Sequence, residues 1–438
     1  MISTAIERLW QILSRIQQAF QSPYFGFVQG HAHLSADDLQ RIGRLVGIKQ
    51  DSVVAHFERQ FARLIGSGDA TAYAAARMGF YELMRLQGIG KGDEVILPGA
   101  TCSVMVNAVM RAGATPVFAD IDPDTFGSSS EAIAVCITPR TRMIVAQHSF
   151  GIPCAIKPIV NLARSRKIFL LEDCALTLGS KVNGITVGNF GDAALFSTDH
   201  SKPLNTLTGG LIYTQDSALA HRLKHAQSNL PDLSIDRQNA LWNRLLLEAR
   251  YCIPEKYGRM GLVDLFSAMR RKFTRAEGDL LTDDFGVAAT AAYPYPARLP
   301  AFLAAIGQIE VLRWAEVSME RANTLKYLLD TLAESRAGAT LPCAYKNEAL
   351  EIVPLRLAWS APDGAKIRRA IRHYVHVPWT WFMTPIIATR EPLENLGYHQ
   401  GTCPISERIG PDMINVPCNL DRKQADVLIS LIHQKKGK

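Results

Sequence analysis

No two of the eight cysteines in this 438-residue chain stand in C-x-x-C spacing. Neither a zinc site nor a disulfide framework is indicated, no metal is expected, and a reducing cytoplasm is the simplest setting. No uninterrupted apolar run is long enough to span a bilayer, and no secretory leader is visible. Internal repeats and low-complexity tracts are missing too, which sets aside solenoids and disordered arrays. Charge of one sign is in only mild excess, at +7. That excess suits phosphates or nucleotides, but unclustered it gives no reason to expect nucleic-acid binding. What remains is an ordinary globular composition, 47% hydrophobic and 20% charged, long enough for one large and one small domain.

The most informative stretch runs from Leu170 to Gly210. An apolar run, Ile168 to Leu171, ends in Glu172-Asp173-Cys174, the way a buried strand delivers a carboxylate to its C-terminal edge. A second run, Ala193 to Phe196, delivers Ser197 and, five residues on, Lys202, before the paired glycines Gly209 and Gly210. One carboxylate and one lysine at the same sheet edge suit pyridoxal phosphate. Its ring nitrogen needs a buried anion to stay protonated, and its aldehyde needs an amine to hold it as a Schiff base. Asp173 and Lys202 are the candidates.

The residues EDCA, the turn Gly188-Asn189-Phe190-Gly191-Asp192, FSTDHSK and TGG fall in the order and approximate spacing of a known family. In them the chain resembles the DegT/DnrJ/EryC1/StrS aminotransferases, pyridoxal phosphate enzymes that mostly aminate keto-sugar nucleotides. It is similar from about Phe57 to Thr214, over Arg298 to Leu312, and over Leu396 to Asn419, where LGY and CPISER match structural elements of the small domain. The resemblance implies the type I aminotransferase fold: an α/β architecture with a mostly parallel seven-stranded sheet and a smaller C-terminal α/β domain. It also implies a homodimer with composite active sites. The implied reaction passes an amino group from an amino acid, glutamate by expectation, through the pyridoxamine form of the cofactor to a keto sugar, nucleotide-linked in most of the family. The alternatives are a pyridoxal phosphate enzyme acting on a non-sugar ketone in natural-product synthesis, and a non-catalytic relative with a regulatory role.

Residue by residue, the resemblance assigns Lys202 as cofactor anchor and general acid/base, Asp173 to the pyridine nitrogen, and Ser197 to the phosphate. Backbone N–H groups of Ala76 and Arg77 would complete the phosphate site, since Ala74 to Met78 stands where the family has Ser-Gly-Thr before a helix. The Arg77 guanidinium has three open readings: a phosphate grip, a substrate-anion contact, or a structural ion pair. Cys102 replaces the aromatic residue that stacks on the cofactor, Leu176 replaces a glutamine that reaches its phenolic oxygen, and Pro296 replaces an asparagine that crosses to the partner subunit. Arg298 keeps the nearby arginine and is a substrate candidate. So is His200, whose ordinary reading is an orienting histidine.

Periodicity supplies the frame. An amphipathic helix is expected over Met1 to Phe20; with Arg8 and Arg15 against Glu7, packing on the protein or a partner is favoured over a membrane surface. Ser35 and Asp38 form a capping-box pattern, and a helix follows over about Ser52 to Ile65. Short apolar runs alternating with helices from Ala70 onward imply a sheet covered on both faces. The division expected is an N-terminal extension over 1–50, a large domain over 51–310 and a small one over 311–438. Residues 221–295 form a basic insertion, with eight Lys or Arg against three acidic residues between Arg244 and Arg275, read as a solvated helical segment. Leu350 to Leu357 reads as one strand, and Trp379 to Thr384 as an aromatic loop able to line a substrate mouth.

Overall fold

Short runs such as Glu94–Pro98, buried at all five positions, have apolar side chains on both pleat faces and therefore need cover on both. A computed structural model of the chain describes residues 16–274, 293–333, 340–376, 381–389 and 391–433. Seven strands build its main sheet: β1 (Asp69–Tyr73), β2 (Glu94–Pro98), β3 (Thr115–Ala119), β4 (Thr141–Gln147), β5 (Phe169–Asp173), β6 (Ala193–Ser197) and β7 (Gly210–Thr214). Their order is β1-β7-β6-β5-β4-β2-β3. Strands β2 to β6 run parallel and β7 is antiparallel to both neighbours, so the sheet is mixed but mostly parallel.

The helices in chain order are α1 (Ala36–Gly43), α2 (Asp51–Ile65), α3 (Ala76–Leu86), α4 (Ser103–Arg111), α5 (Ser130–Cys136), α6 (Ile156–Arg166), α7 (Ser217–Ser228), α8 (Ile235–Tyr251), α9 (Tyr257–Thr274) and α10 (Ala301–Ala333). The expected capping box at α1 forms: Ser35 Oγ accepts the Asp38 N–H at 3.1 Å and Asp38 accepts the Ser35 N–H at 3.1 Å, a pairing worth about 1 kcal/mol. β1, α5 and α6 add to the elements expected; each is short, and β1 follows the glycine-rich turn Gly66-Ser67-Gly68 with little apolar signal of its own. The N-terminal helix expected over Met1–Phe20 lies outside the described residues up to residue 15; residues 16–19 are helical.

One hydrophobic cluster spans the sheet and its flanking helices, and a second joins the far half of α10 (Leu325, Leu328, Leu332) to β8 (Arg356–Ser360), β9 (Met413–Pro417) and the helix Arg422–His433. Phe25 is fully buried in that second cluster. The single strand expected over Leu350–Leu357 is corrected. Leu350–Glu351 pairs with Lys181–Val182, and after Pro354 the chain opens a separate strand, β8, antiparallel to β9; proline has no N–H to continue a ladder. Asp120, just past β3, accepts the N–H groups of Ile405 and Ser406 at 2.7 and 3.0 Å and so fastens the CPISER helix to the sheet edge.

The insertion is also corrected. α8 is not solvated all round: Arg237, Gln238, Leu241, Arg244, Leu245 and Glu248 are buried. Its charges point inward because partners wait there, as the site makes clear.

Candidate active site

Parallel pairing puts the C-terminal ends of β4, β5 and β6 on one edge, where Asp173 stands level with Gln147 and Leu195. The register continues from Ser197 to Gly210 and from Gly210 to Tyr73, so β1 delivers α3 to the same edge. Gly210 is required there. A Cβ at that position would lie 2.4 Å from Ala76 Cα and 2.6 Å from Ala76 N, so only glycine lets the start of α3 sit against the end of the sheet. The helix opens at Ala75 without a side-chain cap. Its leading N–H groups and the positive end of the helix dipole lie at the edge that Ser197 also reaches.

Lys202 rides on a closed loop. The Thr198 N–H donates to Gly209 O at 3.0 Å, the His200 N–H to Leu207 O at 3.0 Å and the Thr206 N–H to Thr198 O at 2.8 Å. The Thr198 and Thr206 hydroxyls meet at 2.6 Å inside it. Among the described residues Lys202 Nζ makes no hydrogen bond and no ion pair; it stands 4.1 Å over the Trp381 ring. Burial is the largest influence on this amine and pulls its pKa below the ordinary lysine value, with the Arg356 charge adding to the fall. Asp199, Cys102 and Asp173 oppose it without reversing it.

Asp173 and Glu172 face opposite sides of β5, as the period of two demands. Asp173, 4% exposed, accepts the Ala175 N–H at 2.9 Å, and burial raises its pKa against the pull of Lys202 and His148. Glu172 is structural. Its oxygens accept the N–H groups of Gly188, Phe190 and Gly191 at 2.8, 2.6 and 2.8 Å, which fixes the GNFGD turn. His148, Glu172 and Cys174 lie close enough to resemble a metal cluster. The donors are spent within the protein, however: His148 Nε2 faces Glu172 at 3.1 Å and Nδ1 accepts the Cys154 N–H at 3.1 Å.

A second buried group of charges fastens the lysine loop to the insertion. Glu248, fully buried on α8, receives Arg244 Nε at 2.8 Å and Asn205 Nδ2 at 3.1 Å, and lies 3.5 Å from His200 Nδ1 and 3.6 Å from His31 Nδ1. Arg244 also reaches Asp264 on α9 at 2.6 Å. Burial pushes the Glu248 carboxyl up, but the adjacent His200 and His31 imidazoles and the Arg244 charge outweigh it and hold it well below the carboxylate range. His200 lies against Glu248 and, at 3.7 Å, Asp199, so within the chain its imidazole faces two carboxylates.

The remaining expected residues divide. Ser197, Ala76, Arg77 and Cys102 gather at this edge; Lys202 and Arg77 both act on the Cys102 thiol, which burial nevertheless pushes up. Arg77 Nη2 donates to the Tyr293 hydroxyl at 3.0 Å, inside the protein. Leu176 is buried in an apolar cluster with Phe150, Leu355 and Phe382. Arg298 pairs with Asp51 and, at 3.5 Å, with Asp232, so within the chain its charge already has partners. Two surface hollows of about 460 and 360 Å³ touch neither Asp173 nor Lys202. Sequence reasoning passed over Glu248, His31, Asn205 and Arg356. A lone arginine inside the apolar run VPLRLAW was the one available signal.

The family model described as the DegT/DnrJ/EryC1/StrS aminotransferase family matches residues 37–430. The chain is 38% identical over 185 residues to a GDP-perosamine synthase of Escherichia coli O157:H7, covering 42% of this chain and 50% of that protein. It is 34% identical over 268 residues to an L-glutamine:2-deoxy-scyllo-inosose aminotransferase of Streptomyces kanamyceticus, covering 56% and 62%. The matches therefore span between half and two thirds of these curated relatives. The Streptococcus pneumoniae protein Spr1654, solved in its PMP-form, superposes with a TM-score of 0.69 at 17% identity over 94% of this chain and 96% of its own, a likeness of fold.

Proposed function

The chain belongs to the DegT/DnrJ/EryC1/StrS aminotransferase family, and from that premise we propose that it is a pyridoxal phosphate-dependent aminotransferase. It would move an amino group from an amino acid, glutamate or glutamine, to a keto sugar, nucleotide-linked as in the perosamine synthase relative. The observation that carries this reading is the delivery of Asp173 and Lys202 from neighbouring strands to one sheet edge beside the uncapped start of α3.

The residues suit the cofactor. Ser197 and the N–H groups of Ala76 and Arg77 would hold its phosphate. Asp173, pushed up by burial, needs a positive partner to stay ionised, and the protonated ring nitrogen would be one. Bound there, pyridoxal phosphate supplies an electron sink and a reactive carbonyl. A lysine whose pKa is lowered offers a neutral amine more readily, so Nζ can anchor the carbonyl and can take and return a proton. The buried Glu248 group would keep the loop that carries it in place.

In the same reading, residues 51–310 form the cofactor domain with its insertion, 311–438 the small domain, and two copies complete each site. Eight unpaired cysteines accord with a cytoplasmic setting. A second reading, an acceptor without a nucleotide, is favoured by Leu176 and Cys102, which leave the site less polar than the family's usual residues would. The Streptomyces kanamyceticus relative is named for 2-deoxy-scyllo-inosose.

The test is the visible absorbance of the purified protein with pyridoxal phosphate, before and after glutamate or glutamine, in wild type and Lys202→Ala. A band that the donor bleaches and the variant cannot form is the expected result. No band, or one that ignores both donors, overturns the proposal.

A further inference from the structure

Arg356 opens β8 and is 2% exposed. A guanidinium brings five N–H donors, and burying it is costly unless acceptors receive them. Here the acceptors are few. Nη1 reaches Asn415 Oδ1 at 3.5 Å, Nε has no hydrogen-bond partner, and among the described residues no carboxylate pairs with it. Its other neighbours are ring faces: Cζ lies 4.0 Å from the Phe27 centroid and 4.6 Å from that of Trp381. Such faces favour a cation but accept no strong hydrogen bond. Asn415 in turn donates Nδ2 to Trp381 O at 2.5 Å, which ties the ring's backbone to the partner strand β9. Burial, with Arg321 nearby, lowers the guanidinium pKa to about 9, the direction expected where positive charge lacks a counter-ion.

The same Trp381 ring carries Lys202 Nζ at 4.1 Å. Two cations therefore share one indole, and the Arg356 charge disfavours the protonated form of Lys202. An anion placed between them would relieve both and would find the unused donors of Arg356 in the planar fork that matches a carboxylate. We propose that Arg356 is the receptor for the α-carboxylate of the amino-acid donor. The inference rests on the transamination reading. It favours the donor over the phosphates of a nucleotide-linked acceptor for a chemical reason. In an α-amino acid the carboxylate is bonded to the carbon that bears the departing amine, so it must lie within a few bond lengths of Lys202. In a nucleotide-linked keto sugar the sugar ring separates phosphate from carbonyl.

The experiment uses the full chain loaded with pyridoxal phosphate and compares wild type with Arg356→Gln and Arg356→Lys. Calorimetry measures binding of 2-oxoglutarate, the carboxylate probe, and of a nucleoside diphosphate, the phosphate probe. A visible-absorbance titration measures the glutamate concentration that half-bleaches the band. Loss of one charge-assisted pair should weaken 2-oxoglutarate binding and raise the half-bleaching concentration together, by about 10- to 100-fold in Arg356→Gln. Nucleoside diphosphate binding should stay within about twofold. Arg356→Lys, which keeps charge and bulk, should fall between the two. Equal 2-oxoglutarate binding in wild type and both variants overturns the inference, and so does a loss confined to the nucleoside diphosphate, which would assign Arg356 to the acceptor. If Arg356→Gln does not fold, as circular dichroism would show, Arg356→Lys decides alone: binding weakened at least about fivefold sustains the proposal, and unchanged binding ends it. A wild-type band that neither glutamate nor glutamine bleaches would instead defeat the transamination reading, and the calorimetry would still judge Arg356 as an anion receptor.

Discussion

Glu248 meets His200 at 3.5 Å, and this contact joins a helix of the insertion to the loop that presents Lys202. Each group depends on the other: the carboxylate is fully buried, and Asp199 and Glu248 raise the imidazole's pKa against its own desolvation. The insertion is therefore part of the site's scaffold. Glu248→Gln should destabilise the protein by about 3 kcal/mol, since it removes the buried carboxylate that Arg244, His200 and His31 share and leaves Arg244 with Asp264. Chemical denaturation would measure it; a change under about 0.5 kcal/mol would show that the network holds nothing.

The same group sets a pH signature. Glu248 is depressed, so its contribution exists above the unfolded carboxylate range and is lost as pH falls through its folded pKa. His31 and His200 are raised, so theirs is complete below the ordinary histidine value and is lost as pH rises through their folded pKa. Stability from the network should peak at about pH 5 to 6 and decline above it. Thermal melts across pH would display this in wild type and a flatter profile in Glu248→Gln; parallel profiles would refute it.

Asp173→Asn keeps the shape of the carboxylate and removes its charge. Cofactor should still bind through Lys202 and the start of α3, while donor half-reaction rates drop by about 10²- to 10⁴-fold. Stopped-flow absorbance separates the two effects, and an undiminished rate would remove Asp173 from the chemistry.

Gly210→Ala tests the sheet-to-helix approach. The new Cβ meets Ala76 backbone at 2.4 Å, so the helix must retreat. A loss of about 1 to 3 kcal/mol in stability is expected, with weaker cofactor binding in proportion, read by denaturation and by fluorescence titration. Wild-type values in both would mean that the contact is not needed.

Much of this was legible beforehand for a physical reason. Strands ending in a charged or hydroxylated residue, as at Asp173 and Ser197, announce themselves because a buried run cannot tolerate such a side chain except at its edge. Lys202 was legible as the next basic group after such an edge. Glu248 and Arg356 were not, because a charge on an amphipathic helix or beside a proline looks solvated until tertiary packing decides which face is covered. Trp381 was partly visible: the aromatic loop was evident, but nothing local says that its ring would stand under Lys202 from a segment so distant, in a site where Cys102 supplies no ring. The partners of Arg298 were not legible either, since Asp51 and Asp232 reach it only once the chain has folded.

Residues 24–34 run as a strap across the molecule. Phe25 exchanges backbone hydrogen bonds with Tyr374 and His376, Phe27 lies against Arg356, and Gln29 receives Arg321 at 2.7 Å and Asn205 at 2.8 Å. His31 reaches Asn205 and Glu248. The segment shared with the family begins only at residue 37. A protein trimmed to that shared boundary would therefore be poor material for expression, because it would keep Lys202 and discard the cover over two buried charges, Glu248 and Arg356.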